Sequence, residues 1–209
     1  MKRQDFWISL ESQTLEPHFE PPLNKWISII REYSVSSEDH LYWYNKTATL
    51  STFAGAIWKS NGNLLQEYKE TEGQRKGKWW SNADLWFKVH NEHYLAEATQ
   101  KWVLFAPDAN DKYISKRAQS AYSDSIESWQ GSRDVTPIAI TFVTPYMSKE
   151  LSADMVYLNE KINEFIQNLE DNKKHIDAYA YVFPECQYDI VDENDNIYPG
   201  VAIIIQKCI

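Results

Sequence analysis

Two carboxylates, Asp84 and Glu97, stand on either side of a short turn in ADLWFKVHNEHYLAEATQKW, and Thr99 and Lys101 follow on the second arm. An acid on each arm of a hairpin supplies hard oxygen donors of the kind that hold a magnesium or manganese ion. The same spacing also suits ordinary charge on a solvated sheet face. The metal reading requires both side chains on one face. Directly opposed residues of an antiparallel pair do leave the sheet together, so Asp84 faces Glu97 if the hairpin turns on His90 and Asn91 alone. A three-residue loop would set Asp84 opposite Ala98 and turn Glu97 to the other face.

The elements that must position these acids are read from periodicity. Leu85, Phe87 and Val89 alternate with Asp84, Trp86 and Lys88, which predicts a strand with one apolar face, and HNEH supplies the turn. The next segment, YLAEATQKWVLFAP, is ambiguous. As a strand it places Glu97, Thr99 and Lys101 on one face; as a helix it stacks Leu95, Ala98, Trp102 and Phe105. The β-forming WVLF run and the preceding turn favour the strand. NLLQEYKETEG reads as a strand before this pair, with EGQRKG as turn chemistry.

Helices are expected on both sides of this three-strand meander. EPPLNKWISIIREY begins with Pro21 and Pro22 and repeats Leu23, Trp26, Ile27, Ile30 and Tyr33 on one side, and TLSTFAGAIWKSNG closes at Asn61 and Gly62. Further on, a helix is predicted over 111–130, TPIAITFVTP is an apolar strand, and ELSADMVYLNEKINEFIQNLEDNKK is the strongest amphipathic helix. HIDAYAYVFP and YPGVAIIIQKCI read as strands joined by the loop DENDNIYPG. Alternating helices and strands imply a mixed central sheet flanked by helices, an α/β (α+β) fold, and 209 residues suit one domain.

Composition narrows the classes. A formal net charge of −9 opposes indiscriminate adhesion to nucleic acid or anionic lipid. No apolar run approaches the ~18 to 20 residues that cross a bilayer, so no membrane partner is expected. The opening MKRQDFWISLESQ acquires acids before any long apolar stretch, which does not suit a secretory signal and points to the cytoplasm. Cys186 and Cys208 lack metal-finger spacing and read as free thiols. In GQRKGKWW, Arg75, Lys76 and Lys78 run into Trp79 and Trp80, a pattern that serves a phosphate backbone and a stacked base, or an exposed loop whose tryptophans pack back on the body. His90 and His93 form H-x-x-H without further converging ligands, and DENDN lacks the glycine and closing glutamate of a calcium loop.

An aspartate opening one strand and an acid across the hairpin resemble the core of the PD-(D/E)xK superfamily, the restriction-endonuclease-like proteins. The resemblance spans about Ser51 to Pro145, with 1–50 as an N-terminal helical extension and 146–209 as an added C-terminal helix and strands within a single domain 1–209. It implies that Asp84 and Glu97 hold Mg2+ or Mn2+, with the Ala98 backbone carbonyl and Glu67 or Glu70 as further donors. It implies an ion that activates water for phosphodiester hydrolysis, and contacts from Arg75, Lys76 and Lys78 to nucleic acid. The sequence departs from the family at Thr99, where the motif lysine belongs. Lys101 is the substitute on the same strand face, about 7 Å further along, and Lys78 is another candidate. The alternative implied by the missing lysine is a noncatalytic relative that binds a protein or nucleic-acid partner.

Overall fold

Side chains alternate across a strand, so an apolar residue at every position of a central strand demands cover on both faces. The last strand, VAIIIQK, meets that demand in the computed structural model, which describes residues 5–11, 15–37, 39–68, 83–106, 135–184 and 190–208. Its Val201, Ile203 and Ile205 pack into one hydrophobic cluster while Ala202 and Ile204 pack into another. The two clusters lie on opposite faces of one mixed sheet. Its strands are β1 (Phe6–Leu10), β2 (Asn63–Tyr68), β3 (Ala83–Val89), β4 (Glu92–Leu104), β5 (Thr136–Ser148), β6 (Ala178–Val182) and β8 (Val201–Lys207), in the order β1-β6-β8-β5-β4-β3-β2. The two-residue β7 (Asn196–Ile197) pairs with the end of β5.

Every neighbouring pair is antiparallel except β4 and β5, which run parallel from Tyr94↔Thr136 to Leu104↔Tyr146. A parallel neighbour requires a long crossover connection. The helix expected over 111–130 falls in that connection and lies outside the described residues.

Two helices cover the first face: α1 (Glu16–Ser36) and α2 (Lys46–Lys59). The first begins earlier than the paired prolines suggest. Pro17 occupies the first turn, where a missing N–H costs nothing, and Pro21 and Pro22 are carried inside the helix. Burial of Phe19, Leu23, Trp26 and Ile30 holds that turn against the sheet despite the lost backbone bonds. The second face is covered by α4 (Met155–Asp171), preceded by the single turn α3 (Lys149–Ser152). The long helix expected from Glu150 to Lys174 is therefore broken. Asp154 caps the second part by accepting from the Val156 and Tyr157 N–H groups at 2.9 and 3.1 Å, which favours a fresh helix start over continuation.

A second difference lies at the N-terminus. The first fifty residues were expected to be a helical extension, yet β1 joins the sheet by pairing with β6 from Phe6↔Val182 to Leu10↔Ala178. Only five residues long and at an edge, it carries little periodic signal of its own, and its place is set by β6. Arg31 of α1 lies over the Phe6 ring at 4.7 Å from its centre.

The ambiguous segment is a strand of 13 residues with partners on both sides. Its buried positions change phase midway: Tyr94, Ala96, Ala98 and Gln100 are buried, then Lys101, Val103 and Phe105. The pleat is unchanged; the covering layer changes. Up to Gln100 the strand is roofed by α1 and α2, and Val103 and Phe105 pack into the cluster that contains α4. At the changeover Gln100 is buried and fully engaged: its amide accepts from Thr49 Oγ1 at 3.0 Å and donates to Tyr42 O at 2.8 Å and Thr144 Oγ1 at 3.2 Å.

Two expectations follow from this packing. Gln100→Met keeps the volume but removes every one of those bonds, and it should cost about 1–3 kcal/mol in denaturant unfolding; a loss below about 0.5 kcal/mol would show that the amide does not hold α2 to the sheet. Burial, then the nearby Glu92 charge, pushes the Tyr94 phenol up to about 12, and burial, then Glu170, pushes Tyr181 up to about 12. A raised pKa favours the neutral phenol in the folded state, so stability is intact below the ordinary value of 10.0 and is lost as pH rises toward about 12. Alkaline titration followed by phenolate absorbance and circular dichroism should show late-ionising tyrosines whose titration coincides with unfolding.

Candidate functional site

The turn sets the register on which alignment of the two acids depends. His90 and Asn91 both adopt left-handed backbone, φ 50° and 71°, and Val89 pairs with Glu92 across them. Two successive left-handed residues make the tight turn whose twist matches a right-handed hairpin, and Asn and His are among the residues that tolerate it. This is the two-residue loop that the alignment of the acids requires. The turn is tied down by stacking of His90 on His18 of α1, ring centres 5.9 Å apart, while His18 Nδ1 and the Tyr94 hydroxyl are hydrogen-bonded. Burial holds His18 below its ordinary range, against the raising effect of Glu92, with His90 adding to the lowering.

At the far end the hairpin opens. Pairing of β3 with β4 runs to Leu85↔Ala96, and one further step of the same register aligns Asp84 with Glu97. At that step the ladder is replaced by a side chain: the Ala98 N–H donates to Asp84 Oδ2 at 2.8 Å. The Asp84 carboxylate thus satisfies a backbone donor of the neighbouring strand, which frees the start of β3 to diverge.

The same carboxylate meets a cation that sequence reading did not select. Lys46 Nζ lies 2.7 Å from Asp84 Oδ1 and 2.9 Å from Oδ2, with the two side chains 41% and 20% exposed. Lys46 is the first residue of α2, whose start is capped by Asn45 accepting from the Ala48 N–H. Nothing in local spacing links it to Asp84, 38 positions away. A signal was nonetheless present. A lysine in the first turn of a helix opposes the helix dipole, and no acid stands in that turn, so an anion from elsewhere in the fold is favoured beside the ammonium.

The remaining candidates separate. Glu97 and Thr99 are half-buried on β4, beside Ala139 and Thr141 of β5, and Lys101 is buried beside Val143. They share one sheet face, as the strand reading required. The contact Ala98 makes with Asp84 is through its N–H. Glu67 belongs to β2, next to the Gln66↔Leu85 pair. Glu70, Arg75, Lys76 and Lys78 lie outside the described residues. The H-x-x-H pair is split, because His93 packs edge-on against Trp86 at 5.4 Å whereas His90 faces α1. Among the described residues no group of three or more His, Cys, Asp or Glu side chains is placed to hold a metal ion, and no helix is long and apolar enough to cross a membrane.

Chemically the arrangement pairs a partly exposed ammonium with a carboxylate at an opened strand end, one register step beyond the last β3–β4 pair. The two roles of Asp84 are separable by substitution. Lys46→Met removes a partly exposed ion pair and should cost less than about 1 kcal/mol. Asp84→Ala also strands the N–H of buried Ala98 and should cost about 1–3 kcal/mol. Equal costs in urea unfolding would mean that the ion pair, and not the backbone bond, is what the fold uses. No protein-family model, curated protein or solved structure matches this chain.

Proposed function

We propose that the chain is a divalent-metal-dependent phosphodiester hydrolase of the PD-(D/E)xK-like class acting on DNA or RNA, with Lys46 in the part of the lysine missing after Glu97. The observation that carries this reading is the Lys46 ammonium at 2.7 and 2.9 Å from the Asp84 oxygens. A positive group at Asp84 is the kind of charge that Thr99 cannot supply. The element order supports the same reading: a helix precedes the antiparallel meander β2-β3-β4 and β5 follows it, as the resemblance implies, and the helix that the resemblance puts between β4 and β5 falls outside the described residues.

The donor set suits the metal. Magnesium is commonly held by one or two carboxylates, with waters and substrate phosphate completing its shell, so Asp84 and Glu97 suffice, and the Ala98 carbonyl and Glu67 or Glu70 are further donors. When bound, such an ion supplies an activated water and offsets charge on the scissile phosphate. The partly exposed Lys46 side chain exchanges its contact with Asp84 for the phosphate oxygen or the attacking water and balances developing negative charge. Arg75, Lys76 and Lys78 serve the nucleic-acid backbone, a local basic contact within an acidic chain.

A second reading has its own observation. Both Asp84 oxygens already have partners, Lys46 and the Ala98 N–H, which is the pattern of a structural ion pair in a noncatalytic relative that binds a protein or nucleic acid.

Calorimetric titration of Mn2+ and a metal-dependent cleavage assay on single- and double-stranded DNA and RNA separate the two. The nuclease reading expects saturable binding in the wild type, loss of binding and cleavage in Glu97→Ala, and retained binding with cleavage reduced roughly 100-fold or more in Lys46→Met. Undiminished cleavage by Glu97→Ala removes it. Absence of both metal binding and cleavage in the wild type favours the noncatalytic module.

A further inference from the structure

A groove of about 800 Å3 opens where the roof of β4 changes from one helical layer to the other. Its walls come from three distant parts of the chain: Trp43 and Tyr44 before α2, Trp102 and Tyr146 near the ends of β4 and β5, and Tyr198 after β7. The rings are set as walls more than as a flat platform. Trp43 stands perpendicular to Tyr44 and to Tyr198, with centres 5.6 and 5.8 Å apart, and Tyr146 stacks on Tyr198 at 6.1 Å. Trp102 is 40% and Tyr44 54% exposed, so ring surface remains open to a ligand. Asp192 and Glu193 complete the lining, and no lysine or arginine occurs among the described lining residues.

The hydrogen bonds at this groove select the ligand. Asp192 Oδ1 accepts from the Asn194 and Asn196 N–H groups, each at 2.9 Å, and Oδ2 accepts from the Tyr198 hydroxyl at 2.8 Å and from Asn196 Nδ2 at 3.3 Å. Its acceptor capacity is used by its own loop, so it has little left for the hydroxyls of a sugar. Its charge persists: burial would raise its pKa, but the bonds from Asn196, Tyr198 and Asn194 outweigh that and hold it below the usual value. The Tyr44 hydroxyl is likewise committed, donating to Asp39 at 2.8 Å. What the groove offers is the faces of electron-rich rings in a negative field, with Asp192 and the Tyr44 hydroxyl already engaged and the Trp43 indole N–H buried without a partner. That combination repels phosphate and suits a cation that needs no hydrogen bonds of its own.

We propose that this groove binds a quaternary ammonium group, the aromatic walls around Trp102 supplying cation–π contact and Asp192 and Glu193 the compensating charge. The site is independent of the hydrolase reading, since none of its residues is an acid or lysine of that site.

The test is titration of the protein with choline, monitored by amide and indole resonances at constant ionic strength, against its neutral carbon isostere, dimethylbutanol. Choline should bind saturably, with shifts centred on Trp43, Trp102 and the 191–198 loop, and the isostere should bind at least tenfold more weakly. Trp102→Ala should weaken choline roughly three- to thirtyfold, the span expected for losing one cation–π wall. Trp102 lies outside both hydrophobic clusters, and an unchanged unfolding curve confirms that the variant folds. Glu193→Gln, at an exposed position, should also weaken choline and flatten its dependence on salt. Equal binding of choline and its isostere, or no binding of choline, overturns the proposal.

Discussion

The buried amide of Gln100 is the constraint on which both surface features depend. Its bonds to Thr49, Tyr42 and Thr144 join the start of α2, the loop before it, and the two central strands β4 and β5. The Thr144 hydroxyl also donates to the Tyr42 carbonyl at 3.3 Å, which closes the network. A buried network of this kind is favourable only when its members are satisfied together, and then it specifies one arrangement more sharply than apolar packing does. Because the 39–45 segment is fixed here, Trp43 and Tyr44 are delivered to the groove and Asn45 and Lys46 to the start of β3.

The same point on β4 divides the two sites. Before Gln100, α1 and α2 bury the even-numbered side chains, leaving Glu97 and Thr99 half-buried on the other face. From Lys101 onward the odd-numbered positions are the buried ones, which leaves Trp102 and Leu104 uncovered on the first face, 40% and 43% exposed. A large exposed tryptophan beside other aromatics has no role in packing the described core. One change of roof thus yields a half-buried acid on one face and an open aromatic groove on the other.

Energetics separate what the fold needs from what it merely permits. An ion pair with a lysine side chain 41% exposed contributes little to stability in water. The bond from the Ala98 N–H to Asp84 is different, because Ala98 is 8% exposed and its donor has no easy access to solvent. The strand bond is therefore the contact of Asp84 that the fold has more to lose by breaking. Lys46 can leave its partner at small cost, which is the property a group exchanging between a carboxylate and a phosphate must have.

Sequence by itself determined what rests on short-range patterning. The alternation of Leu85, Phe87 and Val89 specified β3, and the three-four rhythm from Leu158 to Leu169 specified α4. Each is a matter of which side chains share a face within one element. Sequence left a two-residue turn on His90 and Asn91 beside a three-residue alternative until the Val89↔Glu92 pairing decided it. Periodicity was weaker at Asp154, where a local cap broke a rhythm that continues on both sides, and at β1, a short edge strand whose register belongs to β6. Tertiary structure alone decided the pairing of Lys46 with Asp84, the change of roof at Gln100, and the convergence of Trp43, Trp102 and Tyr198. Those contacts join residues far apart in the chain, so their geometry follows from how layers pack and leaves no spacing for a sequence to display.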